Sequence, residues 1–264
     1  MTGNEVETFI DNLKQQLKDA PDGVDVTKIE QALANLADPE TERVKIWFLL
    51  DRSGSMQGLT EDVVGGFNQF VADQVLKPGK ARLTAVQFDG TDPFEMIVDA
   101  RRINDVPELT SDVYQPRGVT PLYDALGHLI KSADRRISYR AEKGRPEEDQ
   151  LVIVFTDGLE NASTKFERSK IFELIQDRMN ADWTFVFMGA NQDSYAEGAK
   201  IGLDDGNVQN YSSDSDNVAL AYESMNRATS DFRSKPRSQR IADKADFFGG
   251  LKEAEQEMRR SKNR

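Results

Sequence analysis

From Val44 onward, apolar positions alternate between short continuous runs and stripes with helical spacing. The continuous runs Lys45–Leu50, Leu151–Thr156 and Trp183–Met188 predict strands that are buried on both faces. The stripes predict helices at about Glu61–Leu76, Pro121–Ile137, Lys165–Met179, Ser194–Ile201 and Ser215–Phe232. Strands that alternate with helices in this way indicate a mostly parallel sheet with helices on both faces.

Three further segments predict how the sheet is completed. Arg82–Phe88 and Phe94–Val98 have strand character and are joined by the turn-forming sequence Asp-Gly-Thr-Asp-Pro, which predicts a hairpin. Val208–Tyr211 is a predicted edge strand. The predicted fold class is therefore α/β: a doubly wound, mostly parallel sheet with one antiparallel edge strand.

The remaining sequence divides the chain into three predicted parts. Residues 1–41 predict an N-terminal helical extension, because two short amphipathic stripes are separated by a Pro-Asp-Gly break. Residues 42–232 form the predicted α/β domain. Residues 233–264 predict a basic C-terminal tail, with 10 basic against 5 acidic residues and a helix at about Ala242–Arg260.

Composition limits the possible functions. The 264 residues carry a net charge of −12, which disfavours nucleic-acid binding except through the basic tail. No cysteine and a single histidine exclude disulfides, a thiolate nucleophile and metal sites built from cysteine or several histidines. The longest apolar runs are far shorter than the ~20 residues of a membrane span, and the N-terminus lacks the features of a secretory signal. We therefore expect a cytoplasmic protein without a membrane partner.

Polar side chains follow the first two continuous strands. Asp51, Ser53 and Ser55 come directly after the first strand, at alternate positions that point to one side of an extended segment. Asp157 follows the second strand, and Thr120 precedes a predicted helix. Ligand sites in doubly wound folds lie beyond the carboxyl ends of the strands, so the five side chains are expected to converge. Two carboxylates and three hydroxyls suit Mg²⁺, and they also admit Mn²⁺ or Ca²⁺.

The order Asp51-x-Ser53-x-Ser55, then Thr120, then Asp157 in Thr-Asp-Gly resembles the metal-ion-dependent adhesion site (MIDAS) of von Willebrand factor type A (VWA) domains. The resemblance extends over the whole predicted α/β domain, and it implies a Rossmann-like fold. It further implies that the hydroxyls of Ser53 and Ser55 and, in the ligand-bound state, Thr120 coordinate the metal, while the two aspartates act directly or through bound water. In this family an acidic side chain of a partner protein commonly completes the coordination shell.

The loops around these residues are expected to form the rim of the site. The predicted rim comprises Met56, Gln57, Leu59, Asp89, Arg117, Leu159, Glu160, Asn161 and residues 191–193. Within it, Arg117 is expected to steer an acidic partner toward the metal, because it lies three residues before Thr120.

Three catalytic alternatives lack residues that they need. A phosphoryl-accepting Asp51 would want a second acid two residues later, where Ser53 stands. The only histidine, His128, lies within a predicted helix, and no Gly-x-Ser-x-Gly sequence is present. A phosphate-binding Gly-x-x-x-x-Gly-Lys-Ser/Thr loop is also missing. We therefore expect no enzymatic activity.

Two functional classes stay open. The first is a metal-dependent protein-interaction (adaptor) module that binds an acidic side chain of a partner protein through Mg²⁺. The resemblance implies partners such as an AAA+ ATPase or a multi-protein assembly. The alternative is a structural or assembly component in which the metal mainly stabilises the fold.

Overall fold

The computed structural model describes residues 43–190 and 194–249, together with the single residues Gln15 and Lys18. The chain divides into two units, Met1–Glu42 and Arg43–Arg264. The two helices predicted within residues 1–41 and the predicted rim loop 191–193 therefore lie outside the described residues, apart from those two positions.

The second unit contains a six-stranded sheet. Its strands are β1 (Arg43–Asp51), β2 (Lys80–Phe88), β3 (Glu95–Arg102), β4 (Asp149–Thr156), β5 (Thr184–Ala190) and β6 (Val208–Tyr211). They are arranged in the order β3-β2-β1-β4-β5-β6. Every neighbouring pair is parallel except β2 and β3, which are antiparallel at one edge. The predicted fold class, including its one antiparallel edge strand, is confirmed.

Helices cover both faces of this sheet. They are α1 (Thr60–Val75), α2 (Leu122–Glu142), α3 (Arg168–Asn180), α4 (Ser194–Lys200), α5 (Ser215–Ser234) and α6 (Arg237–Ala242), with short 3-10 helices at Gly54–Leu59, Ile103–Asp105 and Asp205–Asn207. Alternate residues of the strands face opposite layers, as extended chains require. Phe48 of β1 thus lies in the core beneath α1 and α5, whereas Trp47 lies in the core beneath α2 and α3. No helix in the described part of the chain is long and apolar enough to cross a membrane.

The pairing of β1 with β4 determines where the candidate site lies. The two strands are parallel neighbours in register from Val44 opposite Asp149 to Leu50 opposite Phe155. The residues that follow Leu50 and Thr156 consequently leave the sheet at the same edge. This register brings Asp51 and Asp157 together although 105 residues separate them along the chain.

The predicted helix over Ala242–Arg260 is wrong in its first part. Helix α6 ends at Ala242, and residues 243–249 form turns. Tertiary contacts override helical propensity here, since Phe247 and Phe248 are both buried. The backbone N–H of Phe247 donates to the side-chain oxygen of Asn207, and that of Phe248 donates to the carbonyl of Gly206. Residues 250–264 lie outside the described part of the chain.

Candidate functional site

Asp51 is held at the end of β1 by neutral donors. Its side chain is fully buried. The backbone N–H of Ser53 donates to Oδ1 at 2.7 Å, and the hydroxyl of Thr156 donates to Oδ2 at 2.6 Å. The hydroxyl of Tyr114 donates to the Asp51 backbone carbonyl. These contacts fix the carboxylate in one orientation, and they supply no positive charge.

The second carboxylate is linked to the first through two serines. The hydroxyl of Ser55 donates to Oδ1 of Asp157 at 2.6 Å, and the hydroxyl oxygens of Ser53 and Ser55 lie 3.0 Å apart. Ser53 and Asp157 are buried, while Ser55 is exposed. The chain of polar contacts therefore runs from the protein interior to the surface.

Thr120 faces the same point from the other side. A Cβ atom placed on Gly158 would lie 2.9 Å from the hydroxyl oxygen of Thr120, 3.5 Å from Oδ2 of Asp51 and 3.6 Å from the hydroxyl oxygen of Ser55. Oxygens from three separate segments thus surround one position in front of Gly158. All five side chains that the sequence singled out lie within this one cluster.

A network of backbone contacts holds Thr120 in place. The side-chain oxygen of Asn161 accepts the Thr120 N–H at 2.9 Å, and the Asn161 N–H donates to the Thr120 carbonyl at 3.1 Å. The neighbouring Glu160 accepts the N–H groups of Tyr123 at 2.9 Å and Ser163 at 2.7 Å, which joins the loop after β4 to the start of α2. Asn161 and Glu160 were predicted only as rim residues, because side-chain contacts with a distant backbone leave no local pattern in the sequence.

Electrostatics leave the two carboxylates short of positive charge. Burial raises the pKa of Asp51 to about 6, although hydrogen bonds from Thr156 and Ser53 oppose the shift. Burial also raises the pKa of Asp157, against the hydrogen bond from Ser55. Neither carboxylate forms an ion pair with any of the described residues. A divalent cation would supply the missing charge, and converging carboxylate and hydroxyl oxygens are ligands of the hard type that Mg²⁺ prefers.

The fit depends on hydroxyl ligands as well as carboxylates. Among the described residues, no group of three or more His, Cys, Asp or Glu side chains could hold a metal ion. The donor set of two carboxylates and three hydroxyls is compatible with an all-oxygen cation site, and five side-chain ligands leave about one of the six positions that Mg²⁺ prefers open.

Next to this cluster, Asp89 has the countercharge that Asp51 lacks. Asp89 directly follows β2 and is fully buried. Its Oδ2 lies 2.6 Å from Nη2 of Arg52 and 2.9 Å from Nε of Arg117. Burial opposes ionisation, but backbone N–H donors from Asp92 and Thr91 and the two arginines together lower the pKa of Asp89.

The rim differs in part from the predicted one. Met56, Leu59 and Asp89 are buried, so their assignment to the rim is wrong. The two apolar residues pack into the core beneath α1. Leu159 is 52% exposed, and the Arg117 side chain is 50% exposed. Two residues beside the motif were not predicted as part of the rim: Thr156, whose hydroxyl donates to Asp51, and Val119, which directly precedes Thr120.

Comparisons with known proteins agree with this architecture. The family model for the von Willebrand factor type A domain matches residues 45–228. No curated protein matches the chain.

Several solved structures share the fold at low sequence identity. Proximal thread matrix protein 1 from the mussel byssus, in a structure with a zinc-occupied MIDAS motif, is 17% identical over 78% of this chain and 51% of that chain, with a TM-score of 0.51. The pilus adhesin SpaC from Lactobacillus rhamnosus GG is 12% identical over 72% of this chain and 30% of that chain, with a TM-score of 0.53. A von Willebrand factor type A protein from Catenulispora acidiphila is 16% identical over 72% and 43%, with a TM-score of 0.49. The chain therefore spans about half or less of the length of these structures.

Proposed function

Because the chain belongs to the von Willebrand factor type A domain family, we propose that it is a protein-interaction module. It binds an acidic side chain of a partner protein through a metal-ion-dependent adhesion site. Domains of this family are generally protein-interaction modules, and some carry metal sites. The observation that carries the proposal is a single polar cluster: oxygens of Asp51, Ser55 and Thr120 surround a position in front of Gly158, and Ser53 and Asp157 contact Ser55.

The proposed ligands of the cation are these five side chains, and the proposed cation is Mg²⁺, with Mn²⁺ or Ca²⁺ as alternatives that oxygen ligands also accept. When bound, a divalent cation balances the charge of the two carboxylates and supplies an open coordination position for a carboxylate of the partner. The mussel structure with a zinc-occupied MIDAS motif supports the view that this fold can hold a divalent cation. Exposure of Ser55 favours access from solvent.

Arg117 has a proposed role in the approach of the partner. Asp89 holds its Nε, while half of the side chain stays exposed beside the segment that carries Thr120. Substitution by glutamate should slow association with an acidic partner more than it speeds dissociation, because long-range attraction acts mainly on the encounter. An unchanged association rate constant would contradict this role.

A stabilising role for the metal is the second candidate. The hydrogen bonds from Ser55 to Asp157 and from Thr156 to Asp51 already join β1 to the end of β4. A cation at the same place would strengthen that link in a structural or assembly component. Metal removal separates the two candidates: an adaptor stays folded and loses its partner, whereas a structural site loses thermal stability.

The proposed function is tested by affinity capture from the native host. Wild-type protein and Asp51→Ala are compared in Mg²⁺ and in EDTA, with melting curves for all samples. Asp177→Ala serves as control, because Asp177 is an exposed aspartate on α3. We expect a partner that only wild type and the control retain, and only in Mg²⁺. Identical partners in all samples would contradict the adaptor function, and a sharp fall in melting temperature without metal would favour the stabilising one.

We further propose that the module is non-catalytic and cytoplasmic, and that its partner belongs to a multi-protein assembly or an AAA+ ATPase. Mass spectrometry of the captured partner tests the last point directly.

A further inference from the structure

Two exposed apolar side chains border the candidate metal site. Val119 is 50% exposed and Leu159 is 52% exposed. Val119 directly precedes Thr120, and Leu159 directly follows Gly158. Among the large apolar side chains that are exposed in the described residues, these two alone lie within two positions of a proposed metal ligand. We refer to Val119 and Leu159 as the apolar pair.

The backbone on both sides of the apolar pair is fixed by hydrogen bonds. The Gly118 carbonyl accepts the N–H of Gly54 at 3.0 Å, and Thr120 exchanges two hydrogen bonds with Asn161. The Val119 side chain packs on Gly90, where an added Cβ would lie only 2.4 Å from a Val119 methyl group. The exposed half of Val119 is therefore held in position before any partner binds. A surface that is already ordered loses little conformational entropy on binding.

Charge next to the apolar pair favours an acidic partner. Arg117 lies two residues before Val119 and keeps half of its side chain exposed. Asp89 neutralises only one edge of its guanidinium, through Nε at 2.9 Å. The partner surface that complements this region combines negative charge with an apolar side chain.

On the basis of the proposed function, we propose that the partner is a protein segment that presents its metal-binding carboxylate directly beside a large apolar side chain. This apolar side chain packs on Val119 and Leu159. The carboxylate defines attachment to the metal, while the apolar neighbour defines which acidic segments are selected. Burial of apolar surface stabilises a complex by roughly 25 cal/mol per Å². Covering part of two such side chains corresponds to an affinity gain of about five- to tenfold.

The test uses synthetic peptides of the form acetyl-Gly-X-Asp-X-Gly-amide, with X either Leu or Ser, and the Leu peptide with Asn in place of Asp. Dissociation constants are measured by NMR titration of the full chain in Mg²⁺ and in EDTA. For wild type we expect the Leu-Asp peptide to bind about five- to tenfold more tightly than the Ser-Asp peptide, in Mg²⁺ only.

The double variant Val119→Ser/Leu159→Ser should reduce this preference to less than about twofold, while its affinities for Mg²⁺ and for the Ser-Asp peptide stay as in wild type. Leu220→Ser is the matched control, because Leu220 is an exposed apolar residue on α5. It should keep the full preference for the Leu-Asp peptide.

Each other outcome overturns the proposal in a recognisable way. Equal, Mg²⁺-dependent affinities for the Leu-Asp and Ser-Asp peptides would overturn the role of the apolar pair and leave the proposed function intact. Equal binding of the Leu-Asn peptide would mean apolar association independent of the metal. A wild-type dimer that the double variant dissociates in sedimentation would mean that a second copy covers the apolar pair. Failure of every Asp peptide to bind in Mg²⁺ would contradict the proposed function itself.

Discussion

Asp51 is the last residue of β1 and Asp89 directly follows the adjacent β2, so both lie at the same edge of the sheet, and both are fully buried. Asp89 accepts four hydrogen bonds, from the backbone N–H groups of Thr91 and Asp92 and from two arginines, and its pKa is lowered. Asp51 has only neutral donors, and its pKa rises to about 6. Backbone N–H donors from Asp92 and Thr91, together with the two arginines, outweigh burial at Asp89, whereas the neutral donors of Asp51 do not outweigh it. Asp89 is paired within the chain. Asp51, with Asp157 beside it, is a carboxylate whose countercharge we expect to come from a bound cation.

Loss of the paired aspartate, Asp89, should change the stability of the fold most. Asp89→Asn leaves the buried Arg52 with Glu95 as its remaining anionic contact, and we expect the free energy of unfolding to fall by about 3 kcal/mol. In EDTA, Asp51→Asn should instead raise it by about 1 kcal/mol, because an unpaired buried charge is removed. Urea unfolding of wild type and both variants measures the two changes. Equal losses of stability would contradict the comparison.

Loss of Asp51 should affect Mg²⁺ binding. Asp51→Asn should weaken Mg²⁺ binding by more than about 100-fold, because it removes a charged group from the proposed cation site. Isothermal titration calorimetry with Mg²⁺ measures this loss. Asp177→Asn, on an exposed face of α3, provides the control and should bind as wild type does. Undiminished Mg²⁺ binding by Asp51→Asn would place the cation elsewhere.

A smaller effect is expected from the residue that holds Thr120. Asn161→Ala removes the acceptor of the Thr120 N–H, so the Thr120 hydroxyl loses its fixed position. We expect the affinity for Mg²⁺ to fall by about tenfold, as for other residues that orient a metal ligand. Calorimetry gives the affinity, and thermal melting in EDTA shows whether the fold is retained. A large loss of melting temperature with unchanged affinity would assign Asn161 to stability alone.

The smallest effect is a difference in pH dependence. Because the folded-state pKa of Asp89 is lowered below 3.8, the stability from its ion pairs is present above that value and is lost as the pH falls through the folded-state pKa. The loss of stability caused by Asp89→Asn should therefore be constant from neutral pH down to about pH 5 and become smaller only at lower pH.

The contribution of Asp51 to stability in EDTA should change with pH in the opposite direction. Its folded-state pKa of about 6 means that its charge costs stability as the pH rises through that value. Urea unfolding across this range measures both slopes, and parallel slopes would contradict them.

Much of the fold and the members of the site could be predicted from the sequence because both follow from local patterns. Lys45–Leu50 and Leu151–Thr156 are continuous apolar runs that occur in buried parallel strands, and the residues after such strands meet at one edge. The convergence of Asp51 and Asp157 follows from that rule.

Contacts between distant segments account for what the sequence did not predict. The pairing of Asp89 with Arg52 and Arg117, the burial of Met56 and the link from Asn161 to Thr120 depend on side chains that meet across loops. No period in the sequence encodes them. The same reason explains residues 243–249, where buried contacts of Phe247 and Phe248 replace the helix that the sequence predicted.

We expect a bound cation to compensate the charges of Asp51 and Asp157. Crystals grown with Mn²⁺ would show it through the anomalous difference map of the bound ion. We expect one peak in contact with the hydroxyl oxygens of Ser53 and Ser55, in front of Gly158, and no peak there in Asp51→Asn crystals grown in the same way. A wild-type map with no peak at this position, or with peaks only elsewhere, would contradict the claim.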